Sequence, residues 1–182
     1  MDELLDILDA TGAFTGKTAM KSVAHQEGLF HQTVHIWFYT KKGALLVQQR
    51  GKSKDTYPLL WDTSVAGHIG AGESIEISAL REIQEEIGIQ VSKNSLEKIG
   101  VFKSIQKHQK DLIDCEFHHT FICELKVPLE QLTKQESEVE ALCLIPLHSF
   151  KMEVNNKNTS QKYVPHNVSY YNTIIKEISR RL

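Results

Sequence analysis

Three glutamates near the middle of the chain, Glu82, Glu85 and Glu86, are spaced so that a helix would carry their carboxylates on one stripe. Like charges held this close repel each other, and the spacing leaves two interpretations open. In one, the stripe is a solvated acidic face, relieved by an i,i+4 ion pair between Arg81 and Glu85. In the other, the carboxylates bind a hard divalent cation, for which Mg²⁺ is the common choice when substrate phosphates complete the coordination.

The residues around this stripe favour a particular local structure. Apolar residues recur at helical spacing between Ser74 and Ile87, and Gly88 is a typical helix end. We therefore predict a helix over Ser74–Ile87 with one apolar face, which consists of Ile77, Leu80, Ile83 and Ile87. A glycine-rich stretch leads directly into this helix, so that backbone can approach a metal or a phosphate without obstruction by side chains.

The whole segment 67–89 reads GHIGAGESIEISALREIQEEIGI and resembles the Nudix box at each defining position. The resemblance implies a single α/β (α+β) domain over residues 1–182, with a mixed β-sheet sandwiched between α-helices. It implies hydrolysis with Mg²⁺ as cofactor and Mn²⁺ as the alternative. The implied metal ligands are Glu82, Glu85, Glu86 and Gly67, while Arg81 and Glu73 orient the carboxylates.

Hydrolysis of a diphosphate needs a carboxylate that accepts a proton from the attacking water. In proteins with this box the base lies either on the helix, here Glu86, or in a late acidic loop, here Thr133–Glu140. Within that loop Glu138 ranks ahead of Glu136 and Glu140 because it lies at the transition from loop to strand. The predicted catalytic residues are Glu73, Arg81, Glu85, Glu86 and Glu138.

A second resemblance extends over residues 25–89, to the isopentenyl-diphosphate isomerase branch of the Nudix superfamily. It implies that Arg50 and Lys54, in a basic loop, contact the substrate diphosphate. Isomerases of this branch have a cysteine immediately before the box glycine, but this chain has Ala66, whose methyl group cannot exchange a proton. We therefore expect hydrolysis of a nucleoside diphosphate derivative or another organic diphosphate, isoprenyl diphosphates included. Isomerisation and a non-catalytic diphosphate-binding module remain the alternatives.

The isomerase branch also has a histidine-rich metal site. By position His68 matches a ligand of that site, His31 is a plausible match, and His25 matches only after a shift of one residue. Asp114 and Glu116 match an acidic pair, and we include His68 and Glu116 among the predicted metal ligands. The sequence leaves open whether this second metal site exists.

Composition limits the remaining possibilities. The chain has 182 residues, of which 41% are hydrophobic and 24% charged, a size and balance suited to one domain. A net charge of −2 argues against nucleic-acid or membrane surfaces and leaves a small-molecule diphosphate as the expected partner. Three cysteines without CxxC spacing, and an acidic N-terminus unlike a signal peptide, favour a reducing cytoplasm. A homodimer is suggested only by analogy with the family.

The remaining elements follow from apolar patterning. A short hairpin is predicted around Leu4–Leu8, and a strand pair over Thr33–Thr40 and Ala44–Gln49. Residues 151–162 are polar without a period and are predicted to be a mobile loop. Further strands are expected near Lys98–Ser104, Glu116–Leu125 and Ala141–Pro146, and a last helix over Val168–Leu182.

Overall fold

The fold is built on a seven-stranded β-sheet and a separate two-stranded sheet. The structure is a computed structural model, and it describes residues 2–109 and 111–182. The strands are β1 (Leu4–Leu8), β2 (Phe14–Met20), β3 (His31–Tyr39), β4 (Ala44–Arg50), β5 (Trp61–Asp62), β6 (Val65–His68), β7 (Glu97–Gln109), β8 (Leu112–Glu124) and β9 (Val139–Pro146). The helices are α1 (Lys21–Glu27), α2 (Ile75–Ile87), α3 (Leu147–Val154) and α4 (Val168–Ser179).

The large sheet is mixed, as expected. Its strands follow the order β5-β4-β3-β8-β7, with β6 paired to β3 and β9 paired to β4. The pair β3–β8 is parallel, whereas the other strand pairs of this sheet, among the described residues, are antiparallel. The small sheet is the antiparallel hairpin β1–β2 predicted at the N-terminus. The parallel pairing matters for the site because it brings the beginning of β3 beside residues that lie 85 positions later in β8.

Side chains on β3 alternate between the two layers that cover the sheet. Val34, Ile36 and Phe38 pack in a core cluster with Ala79 and Ile83 of α2. Trp37 and Tyr39 point to the other face and pack with residues of α3 and α4, which are Phe150, Val154, Tyr170, Tyr171, Ile174, Ile175 and Ile178. The sheet is therefore sandwiched between α2 on one side and the α3–α4 pair on the other, and the predicted fold class is confirmed.

The helix that carries the acidic stripe forms where it was predicted, but one residue of its predicted apolar face is wrong. Ser74 caps the first turn, accepting a hydrogen bond from Ile77 N at 3.3 Å, and Gly88 ends the helix with φ 73°. Ile83 and Ile87 are buried, whereas the Ile77 side chain is 60% exposed. The buried face is rotated away from Ile77 toward Ala79, Glu82 and Glu86, because the helix turns its carboxylates inward.

The loop predicted over residues 151–162 is wrong in part. Its first residues belong to α3, and Ser160–Lys162 form a short 3-10 helix. The apolar side chains that bury α3 are Leu147, Phe150 and Val154. Two of these precede residue 151, so the helical spacing is not visible within the predicted range. Elsewhere the strands β7 and β8 are longer than predicted, and α4 ends at Ser179 rather than Leu182.

None of the helices within residues 2–109 and 111–182 has the length and apolar character needed to cross a membrane.

Candidate metal and diphosphate site

One cavity of about 270 Å³ lies where α2 meets the strands β3, β6 and β8. The structure brings most of the predicted site residues together in its wall, although they come from five separate parts of the chain. Two predicted catalytic residues, Glu73 and Arg81, lie outside the lining. The predicted residues that line it are Arg50, Lys54, Gly67, His68, Glu82, Glu85, Glu86, Glu116 and Glu138.

Glu82 and Glu86 are buried, with only 7% and 4% of each residue exposed. Burial, with repulsion from Glu82, raises the pKa of Glu86 to about 8. Burial also raises the pKa of Glu82 to about 7, against the opposing effect of Arg81. Glu86 Oε2 accepts hydrogen bonds from Gln48 Nε2 and from Ala66 N, each at 3.1 Å. The protein therefore holds these carboxylates in place without supplying enough positive charge to keep them ionised.

Arg81 and Glu73 act on the geometry of the glutamates rather than on the cavity itself. Arg81 Nη1 donates to Glu82 Oε1 at 2.7 Å and to Glu85 Oε2 at 3.1 Å, the ion pair expected from the i,i+4 spacing. Its Nη2 donates to Glu73 Oε2 at 3.1 Å and to the His68 carbonyl at 3.0 Å. The guanidinium thus ties the carboxylate stripe to the loop that precedes α2, as expected for positioning residues.

Gly67 is required by the packing of Glu82. A Cβ atom at residue 67 would lie 1.9 Å from Glu82 Cδ and 2.2 Å from Glu82 Oε1. Any other residue would displace the carboxylate, because no such contact occurs in real proteins. The glycine predicted from the motif therefore has a specific role: it lets the Glu82 carboxylate lie directly against the backbone of β6.

Arg50 and Lys54, the predicted diphosphate contacts, differ in how firmly the protein holds their side chains. Arg50 donates from Nη1 to Asp62 Oδ2 at 3.1 Å and from Nε to the Thr56 carbonyl at 3.1 Å, so its guanidinium is fixed within the protein. Lys54 forms an ion pair with Glu138, which also lines the cavity. Both cations line the cavity. Their contacts with substrate remain predictions.

A histidine cluster contributes His25, His68 and Glu116 to the cavity lining. Ligand atoms of His25, His31, His68 and Glu116 all lie within 4.8 Å of one another. His31 Nδ1 lies 2.9 Å from the Leu29 carbonyl, so Nδ1 carries a proton, and His31 Nε2 faces Glu116 Oε1 at 3.4 Å. The buried Nε2 atoms of the three histidines have no hydrogen-bond partner among the described residues. Unpartnered nitrogens that converge beside a carboxylate fit a bound metal ion better than a structural hydrogen-bond network.

Asp114, the other half of the predicted acidic pair, lies at the edge of this cluster. Its Oδ2 is 2.8 Å from His108 Nε2, and its Oδ1 is 3.7 Å from His25 Nδ1. Asp114 Oδ1 therefore faces His25, while Asp114 Oδ2 pairs with His108.

Four further residues of the cavity were missed by the sequence reasoning: His35, Asp62, His118 and His166. Asp62 Oδ1 lies 3.0 Å from His166 Nε2, and the His35 and His118 rings stack with centroids 4.0 Å apart. Burial lowers the pKa of His118 to about 4 and that of His35 well below its usual value. The sequence carried a signal for His35 and His118. His35 lies on the same face of β3 as His31, and His118 lies on the same face of β8 as Glu116, because side chains alternate between the faces of a strand.

Comparison with known proteins identifies the family to which the chain is similar. The chain matches the NUDIX domain family over residues 29–166. It is 33% identical over 172 residues to Nudix hydrolase 3 of Arabidopsis thaliana, covering 92% of this chain but only 22% of that larger protein. It is also 36% identical over 122 residues to an isopentenyl-diphosphate Delta-isomerase of Serratia proteamaculans, covering 67% of each chain.

A solved structure supports the fold independently of sequence. The crystal structure of DR0079 from Deinococcus radiodurans superposes with a TM-score of 0.66 at 14% identity, covering 88% of this chain and 97% of that one. The family match spans most of the chain and includes the acidic helix, the glycine-rich loop and most of the residues that line the cavity. The chain therefore belongs to the Nudix family, as a Nudix hydrolase.

Proposed function

We propose that the protein is a divalent-metal-dependent hydrolase that cleaves the diphosphate linkage of a small organic diphosphate. The observation that carries the proposal is the pair of buried carboxylates, Glu82 and Glu86, which face a cavity also lined by Arg50 and Lys54. Burying two acids beside each other is costly unless a cation binds there. A cavity with carboxylates on one wall and cations on another suits a metal and an anionic substrate together.

The carboxylate stripe fits Mg²⁺, with Mn²⁺ as the alternative. Hard cations take oxygen ligands, and Glu82, Glu85, Glu86 and the Gly67 carbonyl would supply them. When bound, the metal neutralises charge on the phosphate oxygens and lowers the pKa of water. Gln48 and the Ala66 amide hold the Glu86 carboxylate, while Arg81 holds those of Glu82 and Glu85. The ligand geometry is therefore set before substrate arrives.

Glu138 is our choice for the residue that accepts the proton of the attacking water. Of the three glutamates in the acidic loop, Glu138 lines the cavity. Glu136 is largely solvated, with a side chain 80% exposed, and pairs with Lys134 at 2.7 Å. Lys54 orients the Glu138 carboxylate through their ion pair. Glu86 is less suited because its Oε2 already accepts two hydrogen bonds.

We further propose that His25, His31, His68 and Glu116 hold a second metal ion. The support is the convergence of three buried, unpartnered nitrogens, described above. Imidazole ligands favour a transition metal or zinc over magnesium, so the two sites would select different ions. Gly67 and His68 are neighbours in β6, so both sites contact the same cavity.

Isomerisation of an isopentenyl diphosphate is the second candidate, since the chain is 36% identical to an isomerase. That activity would need a residue that exchanges a proton with carbon. Ala66 lines the cavity and has no such group. Cys115 lies between Asp114 and Glu116 on β8, and strand alternation directs it to the opposite face, outside the cavity lining. These positions favour hydrolysis.

The test is a Mg²⁺-dependent screen for phosphate release across nucleoside diphosphate derivatives, sugar diphosphates and isoprenyl diphosphates, with products identified by mass. Glu86→Gln should lower kcat by orders of magnitude because it removes a metal charge and keeps the shape. Glu76→Gln is the matched control: Glu76 is on the same helix, pairs with Lys93 at 3.8 Å, and lies outside the cavity lining. Proton exchange into isopentenyl diphosphate without any phosphate release would instead establish isomerisation.

Two broader expectations accompany the proposal. The cysteines Cys115, Cys123 and Cys143 are all unpaired, which supports a reducing compartment such as the cytoplasm. A homodimer remains a prediction by family analogy.

A further inference from the structure

One part of the cavity is lined by imidazoles, for which the proposed hydrolysis leaves no role. This part, the inner chamber, consists of His35, His118, His166, Asp62 and Thr33. The first four come from β3, β8, the segment before α4, and β5, so that four distant parts of the chain supply polar groups to one region of the cavity. His35, His118, Asp62 and Thr33 are each buried.

The chamber adjoins the proposed reaction site directly. In the antiparallel pairing of β3 with β6, His35 lies opposite Ala66. The Ala66 amide donates to Glu86 Oε2 at 3.1 Å. A group attached to a diphosphate bound at Glu86 would therefore pass over the small Ala66 side chain and enter the space lined by the imidazoles. The methyl group of Ala66 leaves this passage open.

In both His35 and His118 the Nδ1 atom has a hydrogen-bond partner within the protein, which leaves Nε2 of each ring for a ligand. His35 Nδ1 lies 2.7 Å from the Tyr170 hydroxyl, which also accepts from Trp37 Nε1 at 2.9 Å. Tyr170 has one proton, which is best used toward His35 Nδ1, so His35 Nε2 carries a hydrogen and is a donor. Among the described residues nothing hydrogen-bonds this nitrogen.

His118 provides the second independent observation. Its Nδ1 is 2.8 Å from Thr33 Oγ1, while its buried Nε2 has no partner within the described part of the chain. A buried polar atom without a partner is rare and costs stability. In a cavity wall it is explained by a ligand that supplies the missing hydrogen bond.

His166 and Asp62 close the chamber without adding a net charge to it. The His166 ring stands edge-on to His35 and His118, with centroids 5.4 Å and 5.8 Å away. Asp62 is shared between His166 Nε2 at 3.0 Å and Arg50 Nη1 at 3.1 Å, so its charge is compensated. The other groups of the chamber are imidazoles and the Thr33 hydroxyl. The chamber therefore offers hydrogen-bond donors and acceptors rather than an anion site.

We propose that the inner chamber is a binding subsite for a neutral, hydroxyl-bearing group, such as a sugar or polyol, attached to the diphosphate. This proposal rests on the proposed function and names its substrate class. A hydroxyl both donates and accepts, so it can accept from His35 Nε2 and can pair with His118 Nε2 in either tautomer of His118. An isoprenyl chain would bury both nitrogens unpartnered. The chamber is one part of a cavity of about 270 Å³ in all, so the group that it accommodates must be small.

The test compares the affinities of Mg²⁺-loaded protein for ribose 5-diphosphate, isopentenyl diphosphate and inorganic diphosphate by calorimetry. Wild-type protein should bind ribose 5-diphosphate about tenfold or more tightly than isopentenyl diphosphate. His118→Phe keeps the ring stack and removes the nitrogens, so it should reduce this ratio toward one and leave inorganic diphosphate affinity unchanged. His119→Phe is the control, since His119 pairs with Lys98 and Gln32 and lies outside the cavity lining.

A wild-type preference for isopentenyl diphosphate would overturn the subsite, as would an unchanged ratio in folded His118→Phe. If that variant does not fold, the wild-type ratio and His35→Phe decide the question, with the same reduced ratio expected, because His35→Phe removes the other ligand-facing nitrogen. Turnover is measured separately on the same three compounds. Selective binding without phosphate release would refute the proposed hydrolysis and leave the subsite standing, whereas release without selectivity would refute only the subsite.

Discussion

The pH dependence of stability in the metal-free protein follows from the burial of Glu86. In the folded chain its pKa is raised from 4.5 to about 8. The folded carboxyl therefore keeps a proton between these values, while the unfolded one has lost it. The folded state binds more protons in this window, so the free energy of unfolding must fall as pH rises. Glu82, whose pKa is raised to about 7, acts in the same direction.

The magnitude is large enough to measure. Each pH unit below the folded pKa changes the free energy by about 1.4 kcal/mol, so Glu86 alone contributes a loss of about 2 kcal/mol between pH 6 and pH 8. In a domain of this size that corresponds to a decrease in Tm of roughly 4–8 °C. Saturating Mg²⁺ should remove the decrease, because a bound cation compensates the ionised carboxylate and binds the folded state only.

The assay is thermal unfolding followed by circular dichroism at several pH values, with a chelator and then with Mg²⁺. Histidines also titrate here, so the informative quantity is the difference between wild type and Glu86→Gln. Between pH 6 and pH 8 the Tm of Glu86→Gln should decrease by roughly 4–8 °C less than the Tm of wild type. Glu76→Gln should match wild type. Equal pH slopes for wild type and Glu86→Gln would refute the reasoning that burial holds Glu86 protonated.

Other perturbations test separate parts of the site. Gly67→Ala should lower kcat about a hundredfold, because the new Cβ displaces the Glu82 carboxylate. At Gly70 a new Cβ would meet only an ordinary contact, Glu73 Oε2 at 3.4 Å, so Gly70→Ala should keep a higher kcat than Gly67→Ala. Equal kcat values for the two variants would contradict the packing argument. Lys54→Ala should chiefly raise KM in steady-state kinetics if Lys54 contacts the diphosphate, while Lys52→Ala should not. An unchanged KM would make Lys54 only the partner of Glu138. His31→Asn should abolish co-purifying transition metal in elemental analysis while Mg²⁺ binding persists; full metal content in the folded variant would remove His31 from the ligand set.

Helix α2 shows which structural features the sequence determined and which it did not. Helical spacing, the Ser74 cap and Gly88 are local features, and they predicted the helix and the stripe of Glu82, Glu85 and Glu86 correctly. The inward face was misjudged at Ile77 because apolar periodicity assumes that charged residues stay in water. Here the cavity buries Glu82 and Glu86 instead. No local rule predicts that choice, since it depends on what packs against the helix.

The histidine sites depended still more on tertiary structure. By resemblance the sequence suggested His68 and Glu116, but only the parallel pairing of β3 with β8 brings His31 beside Glu116 and Thr33 beside His118. Asp62 and His166 are 104 residues apart and meet because the segment before α4 pairs with β5, through a bridge between Tyr163 and Trp61. Periodicity fixes which face of a strand a side chain occupies. Which faces then share a cavity is decided by strand order and by the layers above them, and these are properties of the folded chain as a whole.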